Sequence, residues 1–220
     1  MPQKELAVVH SGREVIYNLF YRTFIDSPGS DLYTMLEELL PGMEALEGEE
    51  LQSEVAKLRA FVSKRASLEG AELAEYDLDT LRFYTRIMCL TDSAPNTESY
   101  YTSPEKLAAA EAQDYVLHAY SKYKFPKDPK YNELVDFISN EMRFMSFLAM
   151  KTVEAIENNG DISDYISGQH DFLVYHPLRW IEEYAAKLNT YKESERLHGP
   201  MANFMVEFVK SDVEFLKELI

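Results

Sequence analysis

A chain of 220 residues is long enough to bury a core unaided, and its 46% hydrophobic content is too high for a disordered segment. The formal net charge of −16 argues against nucleic acid and anionic membrane surfaces as partners, since both are held by clustered Lys and Arg. Eight glycines leave few tight turns, which disfavours a sheet-rich fold.

Cys89 is the single cysteine, so no internal disulfide and no thiolate zinc site is available. Among Ile87, Met88 and Leu90 it reads as a core residue. Met1 to His10 holds neither a long apolar stretch nor a small-residue cleavage site, so no secretory signal is expected. No apolar run approaches the roughly 18 residues of a membrane span. The expectation is a cytoplasmic protein.

In chain order, Val15, Ile16, Leu19, Phe20 and Phe24 recur at helical spacing, with Ser11 as N-cap. Ser27-Pro28-Gly29 stops that helix. Ser30 caps a second, carrying Leu32, Met35, Leu36, Leu39 and Leu40 and ended by Pro41-Gly42. Leu51, Val55, Leu58 and Val62 mark a third, with Glu54 and Lys57 on its wet side. A fourth spans about Leu73 to Leu90, its inner face Leu78, Leu81, Tyr84 or Thr85, and Met88. A polar loop follows, holding Pro95, Glu98 and the Tyr100-Tyr101 pair. Ser103-Pro104-Glu105 reads as the start of a fifth helix running to about Tyr123.

Lys124 to Lys130 contains two prolines and three lysines, a linker composition that sets an N-terminal half of about 1–123 against a C-terminal half of 131–220. Beyond it, Leu134, Ile138, Met142, Met145, Leu148, Val153 and Ile156 form one long helix, with Gly160 at its left-handed C′ position. A further helical pattern, from Asp161 or Ser163 to Leu188, kinks or splits near Tyr175-His176 because Pro177 lies inside it. Gly199-Pro200 interrupts the last helical region, which ends with Phe215 and Leu216. No segment alternates like a strand. The fold class is all-α, a single helical domain of two halves joined by a Pro/Lys-rich linker.

The motifs for catalysis are thin. Glu195-x-x-His198 has the spacing used in di-iron bundles, which need it twice plus two further glutamates, and one copy is present. Asp114 and His118 share a helix face without a third ligand. No nucleophile elbow, phosphate loop or dinucleotide fingerprint occurs. The reading is therefore no enzyme, no metal and no cofactor. Two stretches suggest binding instead. His176 to Trp180 is either a groove wall or a core tryptophan beside a kink. Asp136 to Leu148 is mostly core stripe, but Met142, Met145 and Met150 are soft contacts of a kind common on adaptable surfaces.

Four separated stretches, in order, resemble the TorD-like chaperones of molybdenum oxidoreductases, which include the DmsD and NarJ types. They are Arg13 to Pro28, Tyr84 to Lys106, Asp136 to Leu148, and Phe172 to Trp180. Two departures stand out. Phe137 replaces the histidine of the family's Asp-His pair, and Asn96 follows Pro95 where some members place a tryptophan.

The resemblance implies an all-helical chaperone that holds the apo-form of a molybdopterin oxidoreductase subunit, through its twin-arginine signal peptide, until cofactor insertion and export or assembly. By the same resemblance the client-binding residues are Tyr84, Met88, Pro95, Glu98, Tyr100, Tyr101, Asp136, Phe137, His176 and Trp180. A cationic, apolar leader calls for acids beside an apolar wall. Glu72, Glu75, Asp77, Asp79, Asp92 and Glu98 would supply the acids, and Tyr84, Met88, Tyr100, Tyr101 and Trp180 the wall, the loop closing over a client segment between the two halves. The alternative is a helical adaptor that grips a mature protein surface with no leader involved. A monomer and a dimer swapped at Lys124–Lys130 are both compatible with the sequence.

Overall fold

The computed structural model describes residues 2–89, 94–126 and 135–220, the side chain of Cys89 excepted. Leu90, Asp92, Lys127 to Lys130 and Leu134, which figure in the sequence reading, lie outside the described residues. Ten α-helices run through the described residues: α1 (Gln3–Ile25), α2 (Ser30–Met43), α3 (Glu49–Ala66), α4 (Gly70–Cys89), α5 (Glu98–Thr102), α6 (Ala112–Lys122), α7 (Ile138–Glu157), α8 (Ser163–Tyr175), α9 (Ile181–Leu188) and α10 (His198–Lys217). The all-α expectation holds.

The chain groups into two compact units, each drawing on residues from both sides of Lys124–Lys130. The first takes Met1–Tyr21, Thr97–Trp180 and Val209–Ile220, and the second Arg22–Asn96 and Ile181–Phe208.

In the first unit α7 packs on α8. Ile138, Met142, Met145, Leu148 and Ile156 are fully or nearly buried, as their spacing predicts, while Val153 is half-buried and Thr152 takes the inner position. An aromatic run links Tyr120, Phe144, Phe172 and His176 at centroid spacings of 4.7–4.8 Å. Tyr123 crosses so close to Gly168 that a Cβ there would lie 2.0 Å from the phenol oxygen, so any larger residue would have to displace the tyrosine ring. The chain ends meet through Arg13 of α1, whose Nε and Nη2 donate to the two oxygens of Asp212 on α10 at 2.5 and 2.8 Å. Tyr17 donates to the same carboxylate, and burial followed by the charge of Asp212 raises the phenol well above its ordinary pKa.

In the second unit α2 packs on α3, burying Leu36, Leu40, Leu51, Val55 and Leu58. His198 is buried among the rings of Phe24, Phe83 and Tyr84. Desolvation lowers its pKa from 6.5 to about 3, so it is a neutral core residue.

Several local expectations are corrected. Helix α1 starts at Gln3, two turns before Ser11, because Leu6 and His10 are buried and extend the inner face. Pro41 lies within the last turn of α2 instead of ending it, at the cost of one intrahelical N–H bond. Glu54 is buried, accepting from Lys57 Nζ at 2.6 Å and Asn203 Nδ2 at 3.3 Å. The inner face of α4 is Thr80, Phe83 and Ile87, which leaves Leu78 exposed.

No helix starts at Ser103. Its carbonyl accepts from Lys106 N–H and its Oγ from Leu107 N–H, closing a turn in which Lys106 has φ +53°, and the helix resumes only at Ala112. At the end of α7 the left-handed residue is Asn159 (φ +52°), with Gly160 N–H reaching back to Ala155 O at 2.8 Å, so the Schellman motif sits one residue earlier than expected. Pro177 does split its helix, α8 stopping at Tyr175 and α9 starting at Ile181. Gly199-Pro200 opens α10 instead of interrupting it, proline being tolerated in a first turn.

Candidate functional site

Helix α5 has only five residues and no side-chain cap of its own, so it depends on the rest of the first unit. Thr97 forms an isolated antiparallel bridge with Phe137, and Glu98 N–H donates to Asp136 O at 3.0 Å. Ser99 N–H donates to Asp136 Oδ2 at 2.9 Å. Asp136 thus satisfies the orphan amides of a helix 37 residues away in sequence, the task an N-cap performs locally. Ser99 Oγ accepts from Ala110 N–H at 3.1 Å and ties down the following turn.

Beneath α5 lies a buried polar cluster. Glu98, Asp136 and Glu141 are each 0% exposed. His176 Nδ1 donates to Glu98 Oε2 at 2.8 Å, and Trp180 Nε1 to Glu141 Oε2 at 3.3 Å. Burial, then the charges of Glu98 and Asp136, hold Glu141 well above the usual carboxylate range. Arg179 Nη1 stands 3.9 Å from Glu98 Oε1 with its side chain 55% exposed, so it joins the cluster to solvent.

Above the cluster Tyr101 stacks on Trp180 (centroids 5.3 Å apart, planes 22° apart), and Tyr100 packs edge-on against Tyr101 at 5.1 Å. Both tyrosines are half-buried, and Lys106 Nζ lies over both rings at 5.6 and 5.8 Å. Arg179 also lines a cleft of about 290 Å³ with Thr102, Ser103, Glu105, Glu111 and Tyr115.

The ten candidate residues therefore separate. Glu98, Tyr100, Tyr101, Asp136, Phe137, His176 and Trp180 belong to this one site in the first unit, Phe137 through its backbone bridge. Tyr84, Met88 and Pro95 belong to the second unit, where Tyr84 packs on His198 and Met88 Sδ accepts from Asn96 Nδ2 at 3.6 Å. Trp180 is 1% exposed and supports Tyr101 from below, so it takes the core role and forms no groove wall.

Of the acids assigned to a cationic partner, Glu98 is internal, and three on α4 already have partners. Asp77 is gripped by both arms of Arg65 at 2.9 Å, Asp79 by Arg82 and Arg196, and Glu75 by Arg82. Asp92 lies outside the described residues.

Glu141 and Arg179 were absent from the candidates. Glu141 was the more legible of the two, an acid three residues after Ile138 and one before Met142 on a stripe that otherwise faces the core. Among the described residues no group of three or more His, Cys, Asp or Glu is arranged to hold a metal ion. Nor is any helix among them long and apolar enough to cross a membrane.

The model of the nitrate reductase delta subunit family matches residues 44–186, a span that contains all ten candidate residues. The chaperone protein TorD of Psychrobacter sp. (strain PRwf-1) is 19% identical over 213 residues, covering 96% of this chain and 94% of that protein. The chaperone protein TorD of Vibrio cholerae serotype O1 is 26% identical over 129 residues, covering 59% of this chain and 57% of that protein. This alignment takes in just over half the length of the Vibrio cholerae relative. With the family match extending over most of the chain, the protein belongs to the nitrate reductase delta subunit family, the TorD- and NarJ-like chaperone group that its motifs resemble.

Proposed function

We propose that this chain is a cytoplasmic maturation chaperone, and no enzyme, that binds the apo-form of a molybdopterin oxidoreductase subunit through its twin-arginine leader and holds it until the cofactor is inserted. The observation that carries the reading is the family match over residues 44–186 together with two chaperone-named relatives. The geometry of the first unit supports it with a division of labour. Tyr100 and Tyr101 offer the aromatic surface to the client, while Glu98, Asp136, His176 and Trp180 hold that surface in place from below. Tyr84, Met88 and Pro95, half-buried in the second unit, are proposed as further client contacts.

A second reading has its own observation. Lys106 over the two tyrosine rings and Arg179 on the adjacent cleft, interleaved with Glu105 and Glu111, give this face a mixed-charge rim, which suits a mature protein surface better than a pair of arginines alone. That is the adaptor alternative.

Calorimetry with a full-length apo molybdoenzyme subunit and with the same subunit lacking its leader separates the two. Under the leader reading, removing the leader weakens binding by at least about tenfold, or roughly 1.4 kcal/mol. Equal affinities would hand the site to the adaptor reading. In either case the Y100A/Y101A double variant should lose affinity while remaining folded. A folded double variant that binds as wild type removes the tyrosine face from the function.

A further inference from the structure

Three completely buried carboxyl groups, Glu98, Asp136 and Glu141, lie under α5 with few donors to meet them. Burial, then the charges of Glu98 and Asp136, raises the Glu141 carboxyl well above its ordinary value. A carboxylate has acceptors only, so a hydrogen bond between Glu98 and Glu141 requires a proton on one of the pair. The other donors in reach are already committed, His176 Nδ1 to Glu98 Oε2 and Trp180 Nε1 to Glu141 Oε2. Glu98 Oε1 and Glu141 Oε1 find no further hydrogen-bond donor among the described residues. Buried acceptors left without a donor are costly. One shared proton removes the clash of charges and supplies the missing donor together.

The consequence reaches the surface through short links. Glu98 is the first residue of α5, and Tyr100 and Tyr101 lie two and three residues further along the same helix. Glu141 accepts from the indole on which Tyr101 stacks. We propose that Glu141 is a positioning residue which, in its protonated form, ties Glu98 to Trp180 and so fixes α5 and its tyrosine pair in the observed arrangement.

The groups that face it are Glu98 on α5, Tyr120 on α6, Asp136 ahead of α7, and His176, Arg179 and Trp180 after α8. Arg179 is the cation beside Glu98, but at 3.9 Å and half exposed it leaves the two buried acids to share their proton. When that proton is lost, a new charge enters a buried site that already holds Glu98 and Asp136, with a partly solvated Arg179 beside it. Repulsion between Glu98 and Glu141 then drives α5 away from Trp180. A client site built this way is well ordered when the proton is present and loosened when it is absent. This consequence rests on the reading of the tyrosine face as client-binding, whereas the positioning role does not.

Trp180 is the only tryptophan in the chain and sits inside the contact, so its fluorescence reports the site directly. Emission of the full chain is followed from about pH 5 to about pH 9, with far-UV circular dichroism confirming that the helices persist. Wild type should show a transition as the pH rises. E141Q, which keeps a donor and an acceptor but cannot ionise, should hold the low-pH emission throughout, and E141L should show the high-pH emission throughout. H176Q, which removes the imidazole and retains a donor towards Glu98, should keep the transition. A flat wild-type profile, an unchanged transition in E141Q, or a transition abolished by H176Q would overturn the proposal.

Should E141Q fail to fold, infrared spectroscopy of wild type decides. A protonated-carboxyl C=O band must be present in the folded protein at neutral pH and vanish on unfolding in urea, and its absence refutes the assignment. None of these measurements involves a client. Failure of the leader or adaptor readings would therefore show only in calorimetry, and failure of Glu141 only in the spectra.

Discussion

The two units bury polar groups in opposite ways. The first holds acids and their partners inside, Arg13 with Asp212 and Glu98, Asp136 and Glu141 under α5, in networks that tie together segments distant in sequence. In the second, His198 is buried but neutral within aromatic rings, Glu54 is buried with Lys57 and Asn203 as its partners, and the arginine pairs with Asp77, Asp79 and Glu75 lie towards solvent. A buried charge is tolerable only with its partner, so networks of the first kind fix geometry at high stakes. Neutral burial with surface pairs stabilises without committing the backbone to one arrangement. The client face proposed here sits over the first kind.

The most severe way to break this contrast is to orphan a buried charge. R13A should cost about 3–5 kcal/mol in urea denaturation, because Asp212 would remain buried with only Tyr17 as donor. The R13L/D212L double variant should lose less than R13A. A double variant worse than the single would mean that the pair itself, and not the orphaned charge, carries the stability.

Two of the buried histidines, His10 and His198, share an acid limb and part company at neutral pH. His198 and His10 both have pKa values lowered to about 3, chiefly by desolvation, against 6.5 in the unfolded chain. As pH falls below 6.5 the unfolded chain takes up protons that the folded one refuses, so stability is full above that value and declines towards 3. Each histidine contributes a slope of about 1.4 kcal/mol per pH unit. H198L should remove one such slope with little loss at neutral pH. H10L should remove the same slope yet destabilise at neutral pH as well, because Arg13 Nη1 donates to His10 Nδ1 at 2.5 Å and would lose its acceptor. Equal neutral-pH behaviour of the two variants would erase the distinction between the units.

Glu141 adds a slope of the other sign. Its pKa is raised in the folded state, so the folded chain holds a proton that the unfolded chain gives up above about 4.5. Stability should accordingly fall as pH climbs from there through the folded value, and E141Q should flatten that limb in denaturant titrations.

The smallest effect belongs to the partly solvated pairs of the second unit. D77N removes a bidentate partner from Arg65, which also lies 4.2 Å over the Tyr33 ring. A loss of about 1 kcal/mol or less is expected. A loss comparable to that of R13A would mean that this unit, too, depends on its ion pairs for its geometry.

Helical periodicity alone placed the cores of α2, α3 and α7, because an apolar face at 3.6-residue spacing has few ways to be buried. It erred where tertiary partners outweighed local signals. Ser103-Pro104-Glu105 has the composition of a helix start, yet its hydroxyl is spent on Leu107 N–H and the turn is held by Ser99. Helix α5 carries no cap and was read as loop, since its cap is Asp136, which no window of neighbouring residues contains.

The sequence by itself determined that this protein is helical and acidic, and its ordered motifs resembled the family that the comparisons then established. Glu98 was legible as a residue of importance, but in a polar loop it read as an exposed acid awaiting a cation. Only the tertiary structure decided that it is buried, that Glu141 meets it, and that Trp180 supports the tyrosines from below. The physical reason is that the cost of burying the Glu98 carboxyl depends on groups 38 to 81 residues away in the chain, and proximity of that kind leaves no period or spacing to read.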